Sequence, residues 1–136
     1  MPRRQRASTN ESVALVPRAQ AKGSFLPVYD RNNIFARILR GEAPCAKVYE
    51  DEHVLAFNDI HPKAPVHVLV IPKGEYVSIV DFTEKASPEA IAGFWRAVTR
   101  IADQLGVGGG FRVSSNHGPD GGQLVFHFHV HITARR

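Results

Sequence analysis

The 136-residue chain holds a single cysteine, Cys45, so it can form neither an internal disulfide nor a thiolate zinc site by itself, and a reducing compartment is expected. It has no apolar run near the roughly 18–20 residues of a membrane-spanning helix; the longest, Val66–Ile71, is interrupted by His67. Met1–Gln20 lacks the apolar stretch of a signal peptide. Its Arg and Ser content is weakly compatible with organelle targeting, and cytoplasmic residence is the expectation. Excess charge of one sign is scarce once it is located along the chain. The net charge of +4 comes from residues 1–31, with six basic and two acidic side chains, while the other 105 carry eleven of each. The folded body therefore has no composition bias toward nucleic acid.

What is present suits one core: 43% of residues are hydrophobic. Residues 1–28 show no persistent hydrophobic period and are interrupted by Pro2, Pro17, Gly23 and Pro27, which predicts a basic, disordered tail ahead of a domain over 29–136. Asn32 or Asn33 can cap a short helix carrying Ile34, Phe35, Ile38 and Leu39, with Gly41 to end it. β-type runs follow at Lys47–Glu50, Val54–Asn58 and Val66–Pro72, joined by links too short for parallel crossovers. Ser87 and Pro88 open a long helix whose stripe is Ile91, Phe94, Trp95, Val98, Ala102 and Leu105, closed by Gly106. Two strands, Phe111–Asn116 and Leu124 to about Thr133, complete an α+β domain with an antiparallel sheet of about five strands, one long helix and one short one.

The last strand carries the chemistry. His127, His129 and His131 alternate with Phe126, Phe128, Val130 and Ile132, so a period of two sends three imidazoles to one face and the apolar side chains to the other. Three imidazoles are a poor packing choice, because each brings two ring nitrogens that need partners when buried. The preceding loop, with Gly118, Gly121 and Gly122, can approach a ligand closely and turn backbone N–H groups toward an anion. Imidazole near neutral pH suits attack on phosphorus. A metal is the competing use of His-x-His, but no CxxC, HExxH or acid cluster accompanies it here. His67, inside an apolar strand, reads either as a satisfied core histidine or as a partner of the triad. His53 and His61 read as surface residues, and His117 as a loop residue able to approach a ligand.

The run Gln123-Leu-Val-Phe-His-Phe-His-Val-His-Ile132 resembles the signature of the histidine triad (HIT) superfamily. Asn33–Glu42 with Pro44, Val48–Glu52, Ala56–Ile60 with Pro62, Ala64–Lys73 and Ser115–Gln123 resemble its histidine triad nucleotide-binding (HINT) branch, over about residues 29 to 133. The resemblance implies a HIT-like fold and His129 as nucleophile, with His127 and His131 orienting it and touching phosphate and His67 near the leaving group. It implies that Asp59 holds the ribose hydroxyls and that Asn116, Gly122 and the backbone of Leu124 and Val125 contact phosphate, with Gln123 in the same nucleotide-binding stretch. Ile34, Phe35, Ile38, Phe57, Asn58, Ile60 and Leu69 match purine-pocket walls, though the apolar ones serve as core in any case.

Three departures stand out. Leu124 occupies a position that often carries a hydroxyl, so hydrogen-bond help to a leaving group is missing there. Asn33 and Ala36 stand where some bacterial relatives have a zinc-binding CxxC, so no metal or other cofactor is expected. The chain ends at Arg136, without the longer tail that helps set substrate preference in some members, which leaves substrate breadth open. The function the resemblance implies is a homodimeric purine nucleoside phosphoramidase acting on AMP or GMP conjugates through a nucleotidyl-histidine. The alternatives are a dinucleoside polyphosphate hydrolase, a non-catalytic purine nucleotide-binding regulator and, ranked last, a nucleic-acid role of the basic tail.

Overall fold

A computed structural model describes residues 26–136. The predicted tail over 1–28 lies almost wholly outside that range. Asn33 caps helix α1 (Ile34–Leu39), its side chain accepting the Ala36 N–H at 2.9 Å, and Gly41 leaves the helix at φ +79°, a conformation that costs glycine little. Strands β1 (Lys47–Glu50), β2 (Val54–Asn58) and β3 (Val66–Pro72) follow. Next come helices α2 (Ile79–Lys85) and α3 (Pro88–Gln104), strand β4 (Arg112–Ser114), a 3₁₀ turn over Pro119–Gly121, and strand β5 (Val130–Ala134). The strands form one antiparallel sheet in the order β1-β2-β3-β5-β4. No helix of the described residues is long and apolar enough to cross a membrane.

Both faces of the central strands are covered. Val54, Ala56, Val68 and Val70 join Phe94, Val98 and Ile101 of α3, Phe82 of α2 and Phe128, Val130 and Ile132 in the main core. On the opposite face Leu55, Phe57, Leu69 and Ile71 pack with Phe35 of α1. The alternation anticipated for the histidine segment therefore holds, with its apolar residues under the helices and His129 and His131 on the α1 side, where they border a cleft.

Three expectations need correction. The structure adds a second short helix, α2, which the sequence conceals because Ile79, Val80 and Thr83 are β-branched and the segment is only seven residues long. It is held by Phe82, fully buried against Phe94 and Phe128 with ring centroids 5.2 and 4.9 Å away. Strand β5 begins at Val130, not Leu124, because β3 ends at Pro72, which has no N–H to offer, and because the backbone upstream is engaged elsewhere. The Phe128 N–H donates to Tyr76 O at 2.7 Å, and the carbonyls of His127 and His129 accept side-chain donors. The same Ser115-to-His129 bond replaces ladder pairing beyond Ser114, shortening β4 from the anticipated Phe111–Asn116.

Phe128→Ala removes the ring at the centre of this aromatic stack and should destabilise the fold by about 3–5 kcal/mol, measured as a shift of the urea midpoint at unchanged m. A loss below about 1 kcal/mol would show that the stack is not the core's keystone.

Candidate active site

The cleft has a volume of about 810 Å³ and lies on the α1 side of the sheet. His129 is buried at its floor. Its Nδ1 lies 2.8 Å from the His127 carbonyl oxygen; a carbonyl only accepts, so Nδ1 carries the proton and Nε2 keeps its lone pair. Ser115 Oγ–H donates to the His129 carbonyl at 2.7 Å, fixing the backbone on the other side. The edge of the Phe35 ring meets the imidazole at a centroid distance of 5.0 Å. Burial, the largest influence, holds His129 below the ordinary histidine pKa, so the ring is neutral at neutral pH.

His127 is tied at both nitrogens. Its Nε2–H donates to Pro72 O at 2.9 Å, which leaves Nδ1 to accept from the Tyr29 hydroxyl at 2.6 Å. Complete burial lowers its pKa to about 4. His127, which the resemblance places against phosphate, is not among the residues that border the cleft; its carbonyl supports the His129 ring from beneath.

His131 takes the complementary role. The Lys63 backbone N–H donates to His67 Nδ1 at 3.0 Å, which places the His67 proton on Nε2. That nitrogen lies 2.9 Å from His131 Nδ1 and 3.4 Å from Asp59 Oδ2. With its Nδ1 accepting, neutral His131 carries its proton on Nε2, the ring nitrogen without a partner among the described residues. Burial, then the neighbouring His129 and His67, lower the His131 pKa to about 4. The site thus holds one imidazole with a free lone pair and one with a free N–H. His67 belongs to the site as a partner of the triad, the sharper of its two sequence readings.

The loop ahead of the triad is built differently from expectation. Gly118 and Gly122 have φ of +74° and +84°, but the N–H groups of Gly121, Gly122 and Gln123 close turns onto Gly118 and Pro119 carbonyls, so they cannot serve as an anion nest. Gln123 is buried and fully engaged: Oε1 accepts the Gly118 N–H at 2.8 Å, and Nε2 donates to Val77 O at 2.6 Å and Val125 O at 3.1 Å. Gln123 is a clamp on the loop and is not brought to the cleft. The N–H groups of Leu124 and Val125, next along the chain, make none of the hydrogen bonds among the described residues.

The remaining anticipated residues converge. Asp59, Asn116, Gly122, Leu124 and Val125 border the cleft, as do Ile34, Phe35, Ile38, Phe57, Asn58, Ile60 and Leu69. Ile60 and Leu124 are 83% and 90% exposed at its mouth. Tyr29, Ser115, His61, Lys63 and Arg112 were not singled out. Tyr29 and Ser115 act through hydrogen bonds to residues 98 and 14 positions away, for which sequence spacing offers no signal. His61 does lie exposed, yet at the cleft border. His53 instead lies half-buried over Gly93, where an added Cβ would collide with the ring. His117 pairs with the buried Ser78 hydroxyl at 2.9 Å.

Asp59, His67 and His131 place potential ligand atoms within 4.8 Å of one another. The donor pattern opposes a cation there, since a metal on His67 Nε2 would have to displace the proton that the Lys63 contact puts on that nitrogen. Zinc of the CxxC type does not fit either: Asn33 is the α1 cap and Ala36 is buried in the helix.

Comparison with known proteins agrees with the fold and with the family resemblance. The model of the HIT domain family matches residues 40–136. An uncharacterized 13.2 kDa HIT-like protein of Azospirillum brasilense is 55% identical over 109 residues, covering 79% of this chain and 89% of its own. Among solved structures, a histidine triad protein from Clostridium difficile is 44% identical with a TM-score of 0.71, covering 80% of this chain and 95% of that one. A HIT family hydrolase from Legionella pneumophila is 37% identical with a TM-score of 0.72, covering 77% and 94%. The chain belongs to the HIT family.

Proposed function

We propose that the protein hydrolyses purine nucleoside phosphoramidates, or related nucleoside monophosphate conjugates, through a nucleotidyl-histidine intermediate. The observation that carries this reading is the His129 Nδ1–H bond to the His127 carbonyl, which leaves the Nε2 lone pair of a neutral, buried imidazole at the cleft. The hydrolase of Legionella pneumophila supports the reaction class.

Phe35, Phe57 and Leu69 offer apolar walls for a purine, and Asp59, whose Oδ1 accepts the His61 N–H at 2.8 Å and whose Oδ2 faces His67 Nε2 at 3.4 Å, borders the cleft as an acceptor for the ribose hydroxyls. The Leu124 and Val125 N–H groups and His131 Nε2–H donate to the phosphoryl oxygens as charge gathers on them. His129 Nε2 attacks phosphorus, a P–N bond to the imidazole forms and the bond to the leaving amine breaks, the amine taking a proton from solvent. Water then attacks phosphorus, the bond to His129 breaks, and nucleoside monophosphate leaves while a proton of that water passes to solvent. No metal takes part.

Leu124 favours a second reading, a nucleotide-binding regulator with negligible turnover, because its exposed apolar side chain offers no hydrogen bond to a leaving group. A homodimer in the cytoplasm belongs to the main reading. Strand β4 is an edge of the sheet with Val113 40% exposed, and such an edge is a template for pairing.

Incubated with an AMP–lysine phosphoramidate in EDTA, the wild type should release AMP, and His129→Ala should lower the rate by at least about 10³-fold. Nucleotide binding by both proteins without turnover by either would instead establish the regulator. Because the His129 pKa lies below 6.5, lowering the pH protonates the nucleophile only under that value; kcat/KM should be flat from neutral pH down to it, and an acid limb at or above it contradicts the assignment. Light scattering should give the mass of a dimer, and a monomer mass would refute the pairing.

A further inference from the structure

The carbonyl that receives the His129 Nδ1–H belongs to a stretch held without strand pairing, because β5 begins only at Val130. One hydrogen bond holds the far side of that peptide group, from the Phe128 N–H to Tyr76 O at 2.7 Å. A single bond leaves the group free to rock about it. The second restraint comes through the His127 side chain, whose ring is fully buried and tethered at both nitrogens. Pro72 O takes the Nε2–H at 2.9 Å, which leaves Nδ1 with a buried lone pair, and buried acceptors need donors. Among the described residues that donor is the Tyr29 hydroxyl, 2.6 Å away.

Tyr29 is delivered from the opening of the described chain. Val28 is 91% exposed whereas Tyr29 is half-buried, so the chain turns inward at this residue. Asp30 fixes the turn: its carboxylate accepts the Asn32 N–H at 2.8 Å, and its carbonyl accepts the Asn33 N–H at 3.0 Å and Asn33 Nδ2–H at 2.8 Å. Arg31 ties the turn to the β3–α2 link through Glu75 at 3.1 Å. The unit continues into α1, whose Phe35 ring meets His129 and His127 edge-on. The HIT family model matches residues 40–136, so Tyr29 and Phe35 both reach the triad from ahead of that stretch.

We infer that Tyr29 is a positioning residue for the triad: by locking the His127 ring, its hydroxyl holds the His127 carbonyl against His129 Nδ1–H and keeps Nε2 bare at the cleft. For catalysis this rests on His129 being the nucleophile of the proposed transfer. Tyr29 is not among the residues that border the cleft, so it acts through His127 and bears on the chemical step more than on nucleotide binding.

Two variants of the full chain separate this role from simple anchoring. Tyr29→Phe removes the hydroxyl and keeps the ring; Arg31→Gln cuts the ion pair with Glu75 and keeps the hydroxyl. Turnover of an AMP–lysine phosphoramidate and long-range ¹H–¹⁵N spectra of the histidine-labelled protein are read for each. Tyr29→Phe should lower kcat about 10- to 100-fold through misplacement of the nucleophile. Its KM should stay within about twofold, and Arg31→Gln should keep kcat within about twofold. In Tyr29→Phe part of the His129 population should carry its proton on Nε2, where the wild type shows Nδ1–H alone. An unchanged kcat, a fall that Arg31→Gln matches, or a His129 that stays wholly Nδ1–H in Tyr29→Phe overturns the inference. If the wild type turns over no phosphoramidate, the hydrolase reading fails by itself and the spectra decide: a mixed His129 tautomer in Tyr29→Phe upholds the positioning role, and an unmixed one sinks it.

Discussion

The site depends on one hydrogen bond, from His129 Nδ1–H to the carbonyl of His127, two residues back in the same chain. A backbone carbonyl cannot donate, so this contact settles the tautomer of the central imidazole and frees Nε2. Much of the surrounding structure holds that carbonyl and that ring in place. His127 is immobilised by Tyr29 and Pro72, the His129 backbone by Ser115, and the ring by the edge of Phe35. The bond is possible because the segment leaves the β-ladder before Val130, which turns the His127 carbonyl inward instead of onto a neighbouring strand.

A second chain of bonds gives His131 the opposite character. It begins at the Lys63 N–H, passes through His67 and ends at His131 Nδ1, so the last imidazole presents a proton where the middle one presents a lone pair. Two chemically identical side chains two residues apart thus become an acceptor and a donor through what lies behind them. Burial keeps both neutral near pH 7, so positive charge at the cleft comes from Lys63 and Arg112 and not from the triad.

Much of this was legible in the sequence because it follows from local periods. The limits of β1, β2 and β3, the Asn33 and Ser87 caps and the alternation through Phe128, Val130 and Ile132 all reflect spacings of two or of three to four residues. Helix α2 was hidden because tertiary burial of Phe82 overrides β-branched propensities. The residue types of the triad pointed to phosphorus chemistry, and most of the residues that the resemblance named border one cleft, His127 and Gln123 excepted. The roles inside the triad were not legible, since tautomers depend on Tyr29, Pro72 and Lys63, distant in sequence. Gln123 looked like a ligand residue and proved to be the clamp that frees the Leu124 and Val125 N–H groups. Lys63 and Arg112 were lost in a charge balance that sums to zero over the folded body.

The most direct test of this arrangement is the protonation pattern of the ring nitrogens, read by long-range ¹H–¹⁵N correlation spectra of the histidine-labelled protein at neutral pH. The account predicts His129 protonated on Nδ1 with a bare Nε2, and His131 protonated on Nε2 with a bare Nδ1. A His129 signal showing Nε2–H, or a doubly protonated ring at that position, would contradict it, because the proposed nucleophile would then have no lone pair to offer.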